Sequence, residues 1–550
     1  MGIPSYFSYI IKNYQLLLQQ IHSYKNTNSF DNFYLDCNSI IYDSIYTIDF
    51  SQLHDMDSQV NSIISCVINK IEEYIHLVKP TNNVFIAFDG VAPVAKLDQQ
   101  RCRRYKSHYQ NNISKSIFKD KKMDAWNTAA ITPGTSFMNK LNEKIKKHFV
   151  NPSDYSVEKI ILSLSDQYGE GEHKIFDFIR SNDEYHKNTY TIVYGLDADL
   201  IMLCINHLPI SNQIYLFRET PHFIKNISNE LEPNENYILN IPELARLICM
   251  DMKNVSNSDT ETFTFEIDKQ QNTIYDYIFM CFFLGNDFMP HFPSINIRTG
   301  GVLKMMNAYK ATLGNNNENL YDGSNKKIIW KNVRKLVSFL ADLEEENLKQ
   351  EMKLRDRREK TSFFSEKKPE DVFKKFDSIP TLERTIEKFI NPFKDNWENR
   401  YYQSLFFVEI DDIKKKEICT NFLEGLEWTM KYYTIGCADW RYNYKYHYPP
   451  LLKDLLHYIP FFDTEFIVVK PLLKGPVTEL VQLCYVLPKQ SLPLLLPKNI
   501  YEKLLVLNPH WYETDCEFLW AYCKYFWESH VLLPEININE LEDFVSKYKN

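Results

Sequence analysis

Glycine is scarce in this chain, 14 residues in 550, and no apolar run reaches the roughly 18 residues a membrane-spanning helix needs. The first scarcity excludes Gly-rich linkers and disordered low-complexity tracts; the second excludes a spanning helix. The opening "MGIPSYFSYIIKNY" has no basic n-region followed by a small-residue cleavage site. Gly2 has Tyr6 where a myristoylation signal wants Ser or Thr. The chain is therefore expected to be soluble and unanchored. Its 11 cysteines are scattered, with no Cys-x-x-Cys and no His/Cys pair at zinc-finger spacing, so they read as reduced core thiols of an intracellular protein. No Gly-x-x-x-x-Gly-Lys-Ser/Thr is present, which excludes a P-loop. Positive charge is not in excess either: the formal net charge is -9, and a polyanionic partner would have to meet a local basic patch.

What the chain does have is length for two or three regions packed as one body, and 15% aromatic residues to fill the interior. Short runs rich in β-branched and aromatic residues alternate with helical periodicity over the first 300 or so positions, the pattern of a mostly parallel α/β sheet flanked by helices. Four of five strand-like segments end in acid. "FYLDCNSII" places Asp36 after Phe33-Tyr34-Leu35, and "NNVFIAFDG" places Asp89 after Val84 to Phe88. "KIILSLSDQYGEGEHKIFDFIR" runs through a Gly-rich turn with Glu170 and Glu172 into a helix, and "YTIVYGLDADLIML" delivers Asp197 and Asp199. "QIYLFRE" is a fifth strand without an acid, and Asp287 follows a Gly-Asn turn in "FFLGNDFMPHFPS".

Each acid alone could be a helix cap or a turn residue. Functional groups gather beyond the carboxyl ends of strands in open α/β sheets, so the set would converge on one rim. Carboxylates within about 4 to 6 Å raise one another's pKa values, and hard divalent cations such as Mg²⁺ relieve that repulsion. Two such ions about 3.5 to 4 Å apart suit a phosphoryl displacement. Asp197 and Asp199 are read as metal ligands, with capping as a secondary role.

Directly after Asp89, "GVAPVAKLDQQRCRRYKSHY" becomes helical from Lys96 onward. Lys96, Gln100, Arg103 and Arg104 fall at i, i+4, i+7 and i+8, on one face. Alone this would be a solvated stripe; beside the acids it is a candidate cradle for a terminal phosphate, which arginine binds bidentately.

These motifs resemble the XRN-type 5′→3′ exoribonucleases. The likeness is carried in order by "MGIPSYF", "YLDCNSII", "FDGVAPVAKLDQQRCRRYKS", "ITPGTSFM", "GEGEHKI", "YGLDADLIML" and "FFLGNDFMPHFPS", and continues through "WENRYYQSLF", "FLEGLEWTMKYYTIGCADWRYNYKYHYPPLL", "LVQLCYVLPKQSLPLLLP" and "HVLLPEINI". The resemblance implies a PIN/flap-nuclease-like core with a largely helical second conserved region. It implies a two-metal Mg²⁺ enzyme, with Mn²⁺ able to substitute, that takes single-stranded RNA with a 5′-monophosphate and releases 5′-nucleoside monophosphates in RNA decay. The metal ligands would be Asp36, Asp89, Glu170, Glu172, Asp197, Asp199 and Asp287, and the 5′-phosphate pocket Lys96, Gln100, Arg103 and Arg104. A decapping or pyrophosphohydrolase enzyme would supply the ends. The expected state is a monomer, away from membranes, in the cytoplasm rather than the nucleus, or in the host cytoplasm for a viral member.

The chain departs from the family at the stacking pair. Tyr42 stands where a His is usual, and Trp440-Arg441-Tyr442 stands for Trp-x-Trp, so Tyr42 with Trp440 or Tyr442 would stack on the terminal base. Val94, Ser39, Cys102 and Leu405 also differ from the family's residues. The expected organisation is a nuclease region over 1–310, a polar loop and long, charged, solvated helix over 311–396, and a second conserved region over 397–550 that narrows the active site. The end soon after "HVLLPEINI" suggests a stand-alone catalytic core. The rival readings are a structure-specific flap-type endonuclease and an inactive RNA-binding scaffold.

Overall fold

The computed structural model describes residues 5–549 apart from 15–16, 26–28, 54, 119–125, 222–223, 227, 230, 254–264, 317, 362–363, 365–366, 469–473 and 514; Gly2 lies outside the described residues. Seven strands form one sheet: β1 (Leu18–Gln20), β2 (Asn32–Asp36), β3 (Asn83–Ala87), β4 (Lys159–Ser163), β5 (Tyr190–Tyr194), β6 (Gln213–Glu219) and β7 (Asn236–Asn240). The spatial order is β1-β7-β6-β5-β2-β3-β4. Strands β2 to β6 are mutually parallel, while β7 is antiparallel to both β6 and β1.

All five expected strands form, and their apolar runs show why. Successive side chains of a central strand enter opposite faces, and here both faces are covered. Phe33 and Leu35 join one core with Val84, Ile86, Ile192 and Tyr194, while Tyr34, Phe85 and Val193 join the other. The two strands of this sheet that sequence reading missed are β1, an edge strand that is "LQQ" without apolar alternation, and β7 beside it, which leads directly into the helix Ile241–Met252.

The chain runs outward from β2 to β3 and β4, then returns to the other side of β2 for β5 and β6. The crevice therefore opens between the carboxyl ends of β2 and β5, where Leu35 pairs with Tyr194.

The core does not stop at the expected boundaries after 310 and 396. Tyr34, Leu336 and Trp428 belong to the same apolar cluster, so the three segments share one interior. The charged helix departs most from expectation. It is two helices, Trp330–Asp342 and Glu344–Thr361, broken at Leu343, and its second half is not a solvated face. Glu344, Glu351 and Arg355 are buried. Glu344 accepts the backbone N–H groups of Leu452 and Lys453 at 3.0 and 3.3 Å, supplying the helix Leu452–Tyr458 with the cap its own Leu451 cannot provide. Arg355 pairs with buried Glu387 at 2.7 Å and donates to the carbonyls of Pro380 and Cys523. Periodicity alone could not show that these charges are satisfied internally. Among the described residues no helix is long and apolar enough to cross a membrane, and all eleven cysteines are free thiols.

Candidate active site

Asp36 is the last residue of β2, Asp89 lies two past the end of β3, and Glu170 and Glu172 flank the first residue of the helix Gly171–Ser181 that follows β4. Gly171 is where these pieces meet. Its N–H donates to Asp89 Oδ1 at 2.6 Å, and a Cβ there would lie 2.6 Å from Asp36 Oδ1, so only glycine lets the helix start touch both acids. Asn38 grips Asp89 from the other side, donating its amide to Asp89 Oδ2 while its Oδ1 accepts the Asp89 N–H at 3.1 Å.

Asp197 and Asp199 differ from one another: Asp197 is exposed, whereas Asp199 is buried in the first turn of the helix Asp199–Asn206. The expected capping role fails here. The N-cap residue is Ala198, which has no side chain to offer, and the helix has no side-chain cap bond.

Lys96 stands among the acids: its ammonium bridges Glu170 at 2.5 Å and Asp287 at 2.7 Å. This divides the basic stripe, because Gln100 and Arg104 lie one and two turns further along, about 12 Å from end to end at 1.5 Å per residue. Arg104 is half-buried, donates through Nη2 to Thr132 Oγ1 at 2.6 Å, and keeps a buried Nη1 without a partner beside the equally unpartnered Gln100 Oε1. Burial brings Arg104 down to about 10, opposed by neighbouring Tyr42. Arg103 is exposed.

The second region closes the site. The helix Asp412–Thr434 sends Tyr432 to donate to Glu170 Oε1 at 2.9 Å, and Tyr432 also stacks on His173 with ring centroids 3.6 Å apart. His173 forms a potential ligand group with Glu170 and Glu172, their ligand atoms within 4.8 Å of one another. Burial holds its imidazole well below the ordinary value, leaving it neutral. Sequence reading passed over His173 although it stands inside the quoted "GEGEHKI", and Asn38 although it stands inside "LDCNSII". Tyr432 had no local signal.

Of the stacking candidates, Tyr42 is 38% exposed and Trp440 half-exposed, its indole edge-on to Tyr168. Tyr442 is a correction. It is buried against Trp428 with centroids 5.4 Å apart and its hydroxyl donates to the Asn421 carbonyl, so it presents no face to a base.

The electrostatics define what the cluster lacks. Asp36 Oδ1, Glu172 Oε2 and Asp199 Oδ1 are buried with no hydrogen-bond partner. Burial, then neighbouring carboxylates, push Asp36 and Glu172 well above the carboxylate range and Asp199 up to about 7. Asp287 goes the other way: against its burial, Lys96 holds it well below. Buried, unpartnered oxygens that repel one another fit hard divalent cations.

Fold and cluster together define an acid-rimmed, PIN-like α/β core. Residues 1–220 match the family model described as the XRN 5′-3′ exonuclease N-terminus, and residues 266–391 and 383–550 match that described as the Xrn1 helical domain. The chain belongs to the XRN family. It is 26% identical to 5′-3′ exoribonuclease 1 of Schizosaccharomyces pombe over 99% of the chain and 48% of that protein. For 5′-3′ exoribonuclease 1 of Homo sapiens the figures are 28%, 98% and 34%, and for 5′-3′ exoribonuclease 2 of Arabidopsis thaliana 25%, 98% and 66%. The chain thus spans about half or less of the length of the exoribonuclease 1 relatives.

Proposed function

We propose that the chain is a divalent-metal-dependent 5′→3′ exoribonuclease that removes 5′-nucleoside monophosphates from single-stranded RNA bearing a 5′-monophosphate. The observation that carries this reading is the trio of buried, unpartnered oxygens on Asp36, Glu172 and Asp199, one helix turn from a basic stripe. Asp36, Asp89, Glu170, Glu172, Asp197, Asp199 and Asp287 would hold two Mg²⁺ ions, with Mn²⁺ as a substitute. When bound, these supply Lewis-acid stabilisation of the attacking and leaving oxygens of a phosphodiester.

The chain's own residues do the rest. Arg104 offers its free Nη1, and Arg103 its exposed guanidinium, to the terminal phosphate, while Gln100 lines the same face. A half-buried guanidinium with one open donor rewards a dianionic end and has no equivalent bond for a 5′-hydroxyl. Lys96 draws Glu170 and Asp287 together, holding the Asp287 carboxyl low and opposing the burial that raises Glu170. The rings of Tyr42 and Trp440 give the terminal base a π-face that tolerates any sequence. Decapping or pyrophosphohydrolase enzymes would supply the monophosphate ends.

The test is a gel time course with Mg²⁺ on one 3′-labelled RNA carrying a 5′-monophosphate, a 5′-hydroxyl or a cap. Loss of the monophosphate RNA alone, with mononucleotides accumulating, is the expected result. Discrete internal fragments regardless of the 5′ end would establish a flap-type endonuclease instead, and binding without cleavage would establish a scaffold.

A further inference from the structure

Two buried cations near the acids take no part in the scheme above. Lys174 is 7% exposed and Arg218 6%. Lys174 donates through Nζ to the carbonyls of Phe88 and Leu164, each at 2.7 Å. Those are the first residues past β3 and β4, where the strands part and their carbonyls need new partners; the next residue after Phe88 is Asp89. Lys174 stands on the helix whose first turn carries Glu172 and whose Gly171 N–H holds Asp89. One side chain therefore ties the ends of two strands to the helix that delivers Glu170 and Glu172 and holds Asp89.

Arg218 does the same beyond β5. Its Nη2 donates to the Leu196 carbonyl at 2.9 Å, one residue before Asp197. Its guanidinium lies 3.7 Å from the centre of the Phe7 ring, which fixes its plane. Its Nε and Nη1 are buried without partners. A buried Arg with one hydrogen bond to a carbonyl, two idle donors and only the charge of exposed Asp197 to offset its burial is poorly explained by stability, because a buried cation with idle donors costs more than an apolar residue of similar shape.

We propose that Lys174 and Arg218 are positioning residues, carbonyl clamps that set Asp89, Glu170 and Glu172 on one side and Asp197 on the other at the separation a divalent ion requires. The proposal rests on the metal-site reading above and goes beyond it. Position and charge make opposite predictions. A cation beside the site repels a metal ion, so its removal should tighten binding if charge were its role. If its role is to hold a carbonyl, removal loosens the ligand set and weakens binding, by the roughly 10- to 100-fold typical of groups that orient ligands.

The experiment is calorimetric titration of Mn²⁺ into the protein without RNA, for wild type, Lys174→Met, Lys174→Gln, Arg218→Met and Arg218→Gln. The Met variants are expected to bind about 10-fold more weakly, and the Gln variants, which keep an N–H donor but no charge, to recover most of that loss. Unchanged or tighter binding in the Met variants, or no recovery with Gln, overturns the proposal. Asp276→Asn serves as the destabilised control. It weakens a buried network in which Asp276 accepts from Tyr309, Asn319, Leu320 and Tyr321, and should leave Mn²⁺ affinity alone. If a Met variant does not fold by circular dichroism, its Gln counterpart decides: affinity within about threefold of wild type supports the clamp, and a tenfold change in either direction defeats it. Wild type that binds Mn²⁺ but degrades no RNA would sink the exoribonuclease reading and leave the clamps standing.

Discussion

Tyr432 donates its hydroxyl to Glu170 Oε1 at 2.9 Å across 262 residues of sequence. The second region therefore forms part of the acid site and is not only a wall around it. The same ring covers His173, so one residue fixes both a candidate ligand and its neighbour.

Tyr432→Phe keeps that ring and loses only the hydroxyl. A single buried hydrogen bond to a charged group is worth about 1.5–3 kcal/mol, so cleavage by the variant should fall about 10- to 100-fold while far-UV circular dichroism is unchanged. Turnover equal to wild type would show that Glu170 needs no such support.

Asp199→Asn removes one of several mutually repelling buried carboxylates. Cleavage should drop at least about 100-fold, whereas the metal-free protein should melt higher than wild type, because a carboxyl that burial and neighbouring carboxylates raise to about 7 has been neutralised. Calorimetric scans in EDTA check the second half. A lower melting temperature would mean that Asp199 is paired in the folded protein.

Arg103→Ala combined with Arg104→Ala should erase the preference for 5′-monophosphate over 5′-hydroxyl RNA, with kcat/KM on monophosphate RNA falling by about 100-fold or more at 1.5–3 kcal/mol per lost charged bond. An unchanged ratio between the two substrates would place the phosphate pocket elsewhere.

Two buried histidines each withdraw stability as the pH falls through the range above ordinary carboxylates. Burial holds His291 and His447 near 4, against 6.5 for a free imidazole. His447 packs beside His530, whose imidazole burial also lowers, and faces the positive charge of Lys106. At these two positions the unfolded chain binds more protons than the native one between pH 6.5 and 4, so the stability they contribute above 6.5 is lost as pH falls toward 4, while the raised carboxyls of Asp36, Glu172 and Asp199 act in the opposite sense. Each ring contributes up to about 3 kcal/mol. The urea midpoint of wild type relative to that of His447→Gln should fall as pH drops across that window; parallel curves would remove His447 from the account.

Much of this was readable in one dimension. Parallel strands buried on both faces are continuous apolar runs, so "FYL", "VFIAF" and "TIVY" identified themselves, and an acid at the end of such a run stands out. The edge strand β1 lacked that contrast, while β7 has a buried Tyr237-Ile238-Leu239 run but ends in Asn240 rather than an acid. The helix over 330–361 was misread because buried and solvated charge have the same sequence pattern; only the partners Leu452, Lys453 and Glu387 distinguish them. Tyr442 and Trp440 are two residues apart in one aromatic stretch, and nothing local says which one the core claims.

The sequence by itself determined the residue types, their order and the strand ends that carry them, because strand and helix periodicity are local properties and each acid sits at a local boundary. Only the tertiary structure decided how those acids are used. Whether a carboxylate is bridged, as Asp287 is by Lys96, or left without a partner, as Asp199 Oδ1 is, depends on groups brought from distant positions. Burial and Coulomb energy depend on distance in space, and the chain specifies that distance only once it is packed.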